Sequence, residues 1–80
     1  MRIKEAAIVH AGKVWTGRRH HNVIAKIVQE CGMQAAPVMG EQGFVTECGV
    51  FLGRESAAMI AFEARQIPAP KKMLFSEDLY

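Results

Sequence analysis

The chain contains an internal repeat, which limits its possible folds more strongly than its composition does. When the chain is shifted by 36 residues, residues 5–31 align with residues 41–67 and share seven identities in 27 pairs. The identical pairs are Glu5 with Glu41, Val9 with Val45, Val14 with Val50, Gly17 with Gly53, Arg18 with Arg54, Ile24 with Ile60 and Ala25 with Ala61. Fixed-period similarity indicates two copies of one structural unit. Chance similarity between two units of the same type is the alternative.

Each unit combines two short β-prone stretches, a tight turn and a helix. In the first unit, residues 7–10 and 13–16 flank Gly12, and apolar residues then recur at helical spacing through Val23, Ile27 and Cys31. In the second, residues 43–47 and 50–52 flank Gly49, and residues 55–66 follow as a helix. The two turn glycines are out of register by one residue, which predicts that one hairpin is longer by one residue.

These elements predict an α+β fold made of two ββα repeats. They would form a four-stranded antiparallel sheet with two helices on one face. The expected organisation is one domain over residues 1–80, with repeat units at about 5–31 and 41–67 and a C-terminal tail at 68–80. Eighty residues build only a modest core, which favours association with a second chain.

Composition narrows the protein class. The two cysteines, Cys31 and Cys48, show neither CxxC nor metal-ligand spacing, which argues against a disulfide framework or a zinc site and favours a reducing compartment. The apolar runs are much shorter than the roughly 20 residues of a membrane helix, and no charged-then-apolar leader opens the chain. We therefore predict a cytoplasmic protein that contacts no membrane and carries neither a metal nor a cofactor.

Charge is unevenly distributed along the chain. Residues 1–40 hold six Lys/Arg, two acidic residues and all three histidines, whereas residues 41–80 hold four Lys/Arg and six acidic residues. This asymmetry indicates either an anionic partner or attraction between the two halves. The net charge of +2 is modest and forms no long basic stripe, so direct nucleic-acid binding is disfavoured.

The basic turn, which we define as Arg18, Arg19, His20 and His21, is the sharpest functional signal. Gly17 precedes it, and the matching Gly53 precedes Arg54 in the second unit. A glycine N-cap offers no side-chain oxygen to the first-turn amides, which leaves them, with the helix dipole, available to a phosphate or carboxylate. Arginine holds phosphate through paired N–H donors, and a nearby anion favours the charged form of histidine.

The basic turn could bind either an external anion or the acidic tail of the chain itself. In the second case, the carboxylates of Glu77 and Asp78 would take the place of an external ligand. Leu79 and Tyr80 would then pack into a groove. Glu41 and Gln42 lie in a predicted turn and are the candidates for contacts to the rest of a ligand. No residue is predicted to be catalytic.

Several strings of residues resemble one known family. They are Lys-Val-Trp-Thr-Gly-Arg-Arg-His-His at 13–21, Gly-Glu-Gln-Gly-Phe at 40–44 and Leu-Phe-Ser-Glu-Asp-Leu-Tyr at 74–80. In this pattern the chain resembles a family of small bacteriophage and prophage proteins, over nearly its whole length. The chain departs from the pattern at Gly53, where an acidic residue is common, and at Ala64 and Arg65, one of which is commonly glycine. The resemblance implies no particular activity but a setting, in which small phage proteins counter host defence.

The leading hypothesis is a non-enzymatic protein that sequesters a phosphate-containing ligand, such as a nucleotide immune signal of the host. Arg18, Arg19, His20, His21 and Arg54 would bind phosphate, and a homo-oligomer would assemble several basic turns around one pocket. One alternative is a protein–protein inhibitor of a host defence protein or a nucleic-acid-processing complex. Another is a small phosphoesterase with His20 or His21 as general acid, for which the sequence supplies no orienting partner or nucleophile.

Overall fold

A computed structural model describes residues 1–32 and 40–79 of the chain, and its sheet confirms the predicted α+β class. The elements are β1 (Ile3–His10), β2 (Lys13–Gly17), α1 (His20–Cys31), β3 (Gln42–Thr46), β4 (Phe51–Gly53), α2 (Arg54–Glu63) and a single 3-10 turn (Ser76–Asp78). The strands form one sheet in the order β2-β1-β3-β4, and every neighbouring pair is antiparallel. In the described part of the chain, no helix is both long and apolar enough to cross a membrane.

The two hairpins differ by one residue, as the offset of the turn glycines predicts. His10 pairs with Lys13, so the first loop has two residues, and both take left-handed conformations with φ of 53° and 74°. In the second hairpin, the Thr46 N–H donates to the Val50 carbonyl at 2.9 Å across a three-residue loop. That loop ends at Gly49 with φ of 85°, the position where a three-residue hairpin loop needs a left-handed residue.

Both helices pack against the same face of the sheet. The residues of this core are largely or fully buried and come from every layer of the fold. They are Ile3, Ala6, Ile8, Val23, Ile27, Phe44, Ala57, Ala58, Ala61, Ile67 and Leu74. Because α2 contributes only alanines to this buried set, its backbone can approach the sheet closely.

The two repeat units differ at the junction between strand and helix. In the second unit Gly53 is the N-cap, as predicted, and α2 begins at Arg54. In the first unit Gly17 is the last residue of β2, and α1 begins two residues later than the repeat predicts, with Arg19 as its N-cap. A Cβ on Gly17 would lie 3.2 Å from the Val23 side chain, so Gly17 allows the helix to pack closely against the strand. The internal duplication itself stays a prediction.

The helix α2 ends three residues before the predicted boundary. Arg65 adopts a left-handed conformation with φ of 60°, and its N–H donates to the Phe62 carbonyl at 3.0 Å. The Gln66 N–H donates to the Ala61 carbonyl at 2.7 Å. These two bonds form a Schellman motif, which ends the helix before Pro68 can interrupt it.

Gln66 then joins the end of α2 to the first strand. Its side-chain oxygen accepts the Ile3 N–H at 2.8 Å, and its side-chain nitrogen donates to the Ile3 carbonyl at 2.9 Å. The pairing of β1 with β3 shifts register between Ile3 and Glu5. Gln66 therefore supplies hydrogen bonds to the start of β1, where the sheet is irregular.

Candidate functional site

A small cleft of about 210 Å³ lies between the start of α1, the start of α2 and the tail. We call it the small cleft. It brings together four of the seven residues predicted to bind a ligand, namely Arg19, His20, His21 and Arg54. The tail contributes Phe75, Ser76 and Glu77 to the same cleft. The fold thus joins the basic turn of the first unit to Arg54 of the second.

His20 lines this cleft but is buried, with 7% of its surface exposed. Its Nε2 lies 2.7 Å from the Gly43 carbonyl, which can only accept, so Nε2 carries the proton. Nδ1 is then an acceptor for the Ser76 hydroxyl at 3.4 Å, and the ring packs edge-on against Phe44 with centroids 5.0 Å apart. Both ring nitrogens are therefore engaged within the protein.

Burial is the main cause that lowers the pKa of His20 from its ordinary value of 6.5. The hydrogen bond to Gly43 raises this pKa, the positive charge of Arg54 lowers it, and Glu77 raises it. The net direction favours the neutral imidazole. A neutral, internally bonded His20 gives the phosphoesterase hypothesis no support, because it has no proton positioned for a substrate.

Arg54 is held in place by contacts on several sides. One terminal nitrogen donates to the Leu74 carbonyl at 2.9 Å, and the other donates to the Gln42 side-chain oxygen at 2.8 Å. The guanidinium also lies over the Phe75 ring, 4.8 Å from its centroid. Partial burial lowers the pKa of Arg54 from its ordinary value, whereas Glu77 raises it. Arginine stays charged at neutral pH, so this cation is fixed in the wall of the cleft.

The other members of the basic turn occupy different positions. Arg19 is half-buried at the N-cap of α1, and its N–H donates to the Asn22 side-chain oxygen at 3.2 Å. His21 is exposed in the first turn of α1 and lines the small cleft. Arg18 is exposed and precedes the helix without lining this cleft. The His20 N–H donates to the Ser76 hydroxyl at 3.4 Å, so one first-turn amide has a partner within the fold.

The tail folds back onto the basic turn, but by contacts other than those predicted. The Asp78 carboxylate accepts a hydrogen bond from Lys71 at 2.7 Å and one from the Phe75 N–H at 2.9 Å, so it stabilises the tail itself. Glu77 acts electrostatically on His20 and Arg54. Leu79 packs against the core, and Tyr80 lies outside the described residues. The tail thus forms one wall of the small cleft.

The large cleft, as we name it, has a volume of about 540 Å³ and adjoins the small cleft through Arg54, which lines both. It is lined by two of the three remaining predicted residues, Glu41 and Gln42, and also by Glu55 and Ser56, whereas Arg18 lines neither cleft. The Glu41 carbonyl accepts the Val9 N–H at 2.9 Å, which fixes this residue beside the sheet. Six of the seven predicted residues therefore line one of two adjoining clefts.

The contribution of the tail is what the sequence interpretation missed. The tail was interpreted through its charges, yet Ser76 makes its contact with His20 through a hydroxyl group. Leu74 and Ser76 are buried, and Phe75 between them is exposed. No sequence pattern indicated this burial, because Leu74, Phe75 and Ser76 are apolar, apolar and polar and so do not alternate in hydrophobicity.

The arrangement can bind an anion. Arg19 and Arg54 supply guanidinium donors, and the positive end of the α1 dipole lies beside them. Within residues 1–32 and 40–79, no three His, Cys, Asp or Glu side chains are grouped so that they could hold a metal ion. Anion binding is the chemistry that the charges and donors of the small cleft favour.

Comparison of the sequence with known protein families gives a match over nearly the whole chain. A family model described as "Phage T4 y16D protein" matches residues 2–80, a range that includes both clefts. No curated protein and no solved structure matches the chain significantly. The family model is therefore the comparison from which a function can be argued.

Proposed function

Because the chain belongs to the Phage T4 y16D protein family, we propose that it is a phage-derived, non-enzymatic binding protein. It sequesters a phosphate-containing ligand, a nucleotide immune signal of the host cell, and thereby counters host defence. The phosphate binds in the small cleft. Family membership supports the phage setting, and the charges of the cleft support the ligand chemistry.

The observation that carries this proposal is the convergence of Arg19, His21 and Arg54 on one cleft from two separate helices. Arg54 is preorganised, since two of its five N–H donors are occupied by Leu74 and Gln42. A fixed guanidinium loses little conformational entropy when it binds an anion. Glu77 is exposed, lines the same cleft and raises the pKa of Arg54, so an incoming phosphate would compete with its carboxylate.

The size of the cleft restricts what it can enclose. Sites for whole drug-sized ligands usually measure roughly 300–1,000 Å³, and the small cleft measures about 210 Å³. It suits a phosphate group rather than a complete nucleotide. The proposal therefore includes a homo-oligomer, in which several copies bring their basic turns around a shared ligand.

The test is isothermal titration calorimetry with inorganic phosphate and a panel of cyclic and ADP-ribose-type nucleotides. We expect at least one nucleotide to bind, and Arg19→Ala to weaken it by about tenfold or more, because a charge-assisted hydrogen bond is lost. Arg2→Ala is the matched control, since it removes the same charge from an exposed residue that lies outside the small cleft. It should bind like the wild type.

Two other outcomes would replace this proposal. Silence across the whole panel, with a stoichiometric host protein retained in a pull-down, would favour the protein–protein inhibitor. Turnover of a phosphodiester that disappears in both His20→Ala and His21→Ala would favour the phosphoesterase. Equal losses of affinity in Arg19→Ala and Arg2→Ala would show that the small cleft is not the site.

A further inference from the structure

The large cleft differs from the small cleft in the kind of group it can bind. Its polar side chains include the carboxylates of Glu41 and Glu55, the amide of Gln42 and the hydroxyl of Ser56. Ionised carboxylates only accept hydrogen bonds and repel a phosphate. A volume of about 540 Å³ is within the usual range of small-molecule sites. The large cleft is thus suited to an uncharged group that donates hydrogen bonds.

Glu41 is a carboxylate of the large cleft that lies beside the start of α2. Its backbone, immediately before β3, accepts the hydrogen bond from the Val9 N–H. A Cβ built on Gly53 would lie 3.2 Å from the Glu41 side-chain oxygen Oε1, so the carboxylate extends across to the start of α2. The next residue, Arg54, lines both clefts. The missing side chain of Gly53 leaves room for this arrangement.

A ligand that spans the boundary would meet cations at one end and acceptors at the other. Arg54 stands between them, held by Gln42 on the side of the large cleft and by the Leu74 carbonyl. A sugar phosphate has this polarity, because its phosphate is anionic and its hydroxyl groups donate hydrogen bonds. A carboxylate that accepts from a ribose hydroxyl is a recurrent way in which proteins recognise nucleotides.

We propose that the large cleft is a second subsite that binds the ribose of a ribonucleotide, with Glu41 accepting a hydrogen bond from the 2′-hydroxyl while the phosphate occupies the small cleft. This inference rests on the proposed function, since it needs the phosphate to bind beside Arg54. It assigns the ligand to the ribose phosphates, and it makes Glu41 the residue that distinguishes ribose from deoxyribose.

The test compares three probes that carry no base: inorganic phosphate, ribose 5-phosphate and 2-deoxyribose 5-phosphate. By calorimetry, the wild type should bind ribose 5-phosphate about tenfold more tightly than its deoxy analogue, because a hydrogen bond to a charged acceptor is lost. Glu41→Ala should remove this preference and leave the affinity for inorganic phosphate unchanged or higher. Glu47→Ala is the matched control, since Glu47 is exposed just beyond the other end of β3 and should retain the preference.

The outcomes separate this inference from the proposed function. Equal affinity of the wild type for the two sugar phosphates would overturn the ribose subsite while leaving phosphate binding intact. A ribose preference that survives Glu41→Ala would overturn the role of Glu41. A protein that binds nucleotides from the panel but neither sugar phosphate would also overturn the subsite. Failure to bind any phosphate compound would overturn both proposals.

Discussion

His20 belongs to the basic turn in sequence, but its surroundings resemble those of a core residue. Its imidazole is enclosed by Phe44, the Gly43 carbonyl and Ser76. It therefore ties α1 to the sheet and to the tail, and it positions the neighbouring Arg19 and His21 rather than supplying a free cation. All seven ligand-binding residues stay predictions. For His20, the geometry favours a role in positioning its neighbours.

This environment predicts that stability falls as the solution becomes acidic. The folded-state pKa of His20 is lowered below its ordinary value of 6.5, so the unfolded chain binds the proton more readily. The contribution of neutral His20 to the free energy of unfolding is fully present above pH 6.5. It is lost as the pH falls from there towards the folded-state pKa. Within that window the contribution of this group changes by at most about 1.4 kcal/mol per pH unit.

Chemical denaturation at pH 7.5 and 5.5 measures the effect. His20→Gln removes the titrating group, so the difference between the two pH values should shrink even though the variant is less stable overall. His21→Gln is the matched control: its side chain is exposed, and His20 is still present, so the difference should persist. An unchanged difference in His20→Gln would show that the pH dependence does not come from His20.

The end of α2 shows how a local conformation governs an element. Arg65 takes a left-handed conformation at the position of a Schellman motif where glycine is strongly preferred. Its Cβ makes that conformation costly, and the chain tolerates it because the following Gln66 and Ile67 are fixed to β1 and the core.

Arg65→Gly should therefore stabilise the fold by about 0.5–1 kcal/mol, because the left-handed conformation no longer carries a Cβ. Thermal denaturation should show a rise in Tm of a few degrees. Arg65→Ala is the control, since it removes the same charge but keeps the Cβ, and it should give no comparable gain. Similar gains in both variants would show that charge, and not backbone strain, limits stability here.

At the scale of the whole molecule, the fold buries a small core and leaves large apolar side chains in solvent. Met59 is 66% exposed and Phe62 is 41% exposed, one turn apart on α2. Exposing these two side chains to water is unfavourable, and burying them in an interface between chains would recover that free energy. The β2 edge is less available for pairing, because Lys26 donates to the outward Thr16 carbonyl.

We accordingly expect a homo-oligomer in solution. Size-exclusion chromatography with multi-angle light scattering should give a multiple of the 8.9 kDa chain mass. Arg19→Ala should keep the same mass, which would separate a loss of binding from a loss of assembly. A single-chain mass at every concentration tested, with and without the best-binding nucleotide, would contradict the shared-pocket part of the proposed function.

Local sequence patterns were sufficient to predict the elements and to indicate most of the candidate site residues. The spacing of apolar residues and turn glycines indicated four strands, two helices and one hairpin that is longer than the other, because these features depend on local periodicity and φ preferences. The same local signals pointed to the basic turn, to Arg54 and to Glu41 and Gln42. They failed at two helix boundaries. The helix α1 begins at His20, two residues later than the repeat predicts, and α2 ends at Glu63, before the left-handed Arg65.

Which of these residues lie side by side depends on contacts between segments that are distant in the chain. Antiparallel pairing of β1 with β3 brings the two helix starts to one end of the sheet, and this places Arg54 beside the basic turn. Packing of the tail through Ser76 enclosed His20 and made one wall of the small cleft. The groups that bury His20 and hydrogen-bond to it come from segments distant in the chain. The spacing of charges along the sequence therefore could not reveal that His20 favours the neutral form, or that Arg54 lines two clefts.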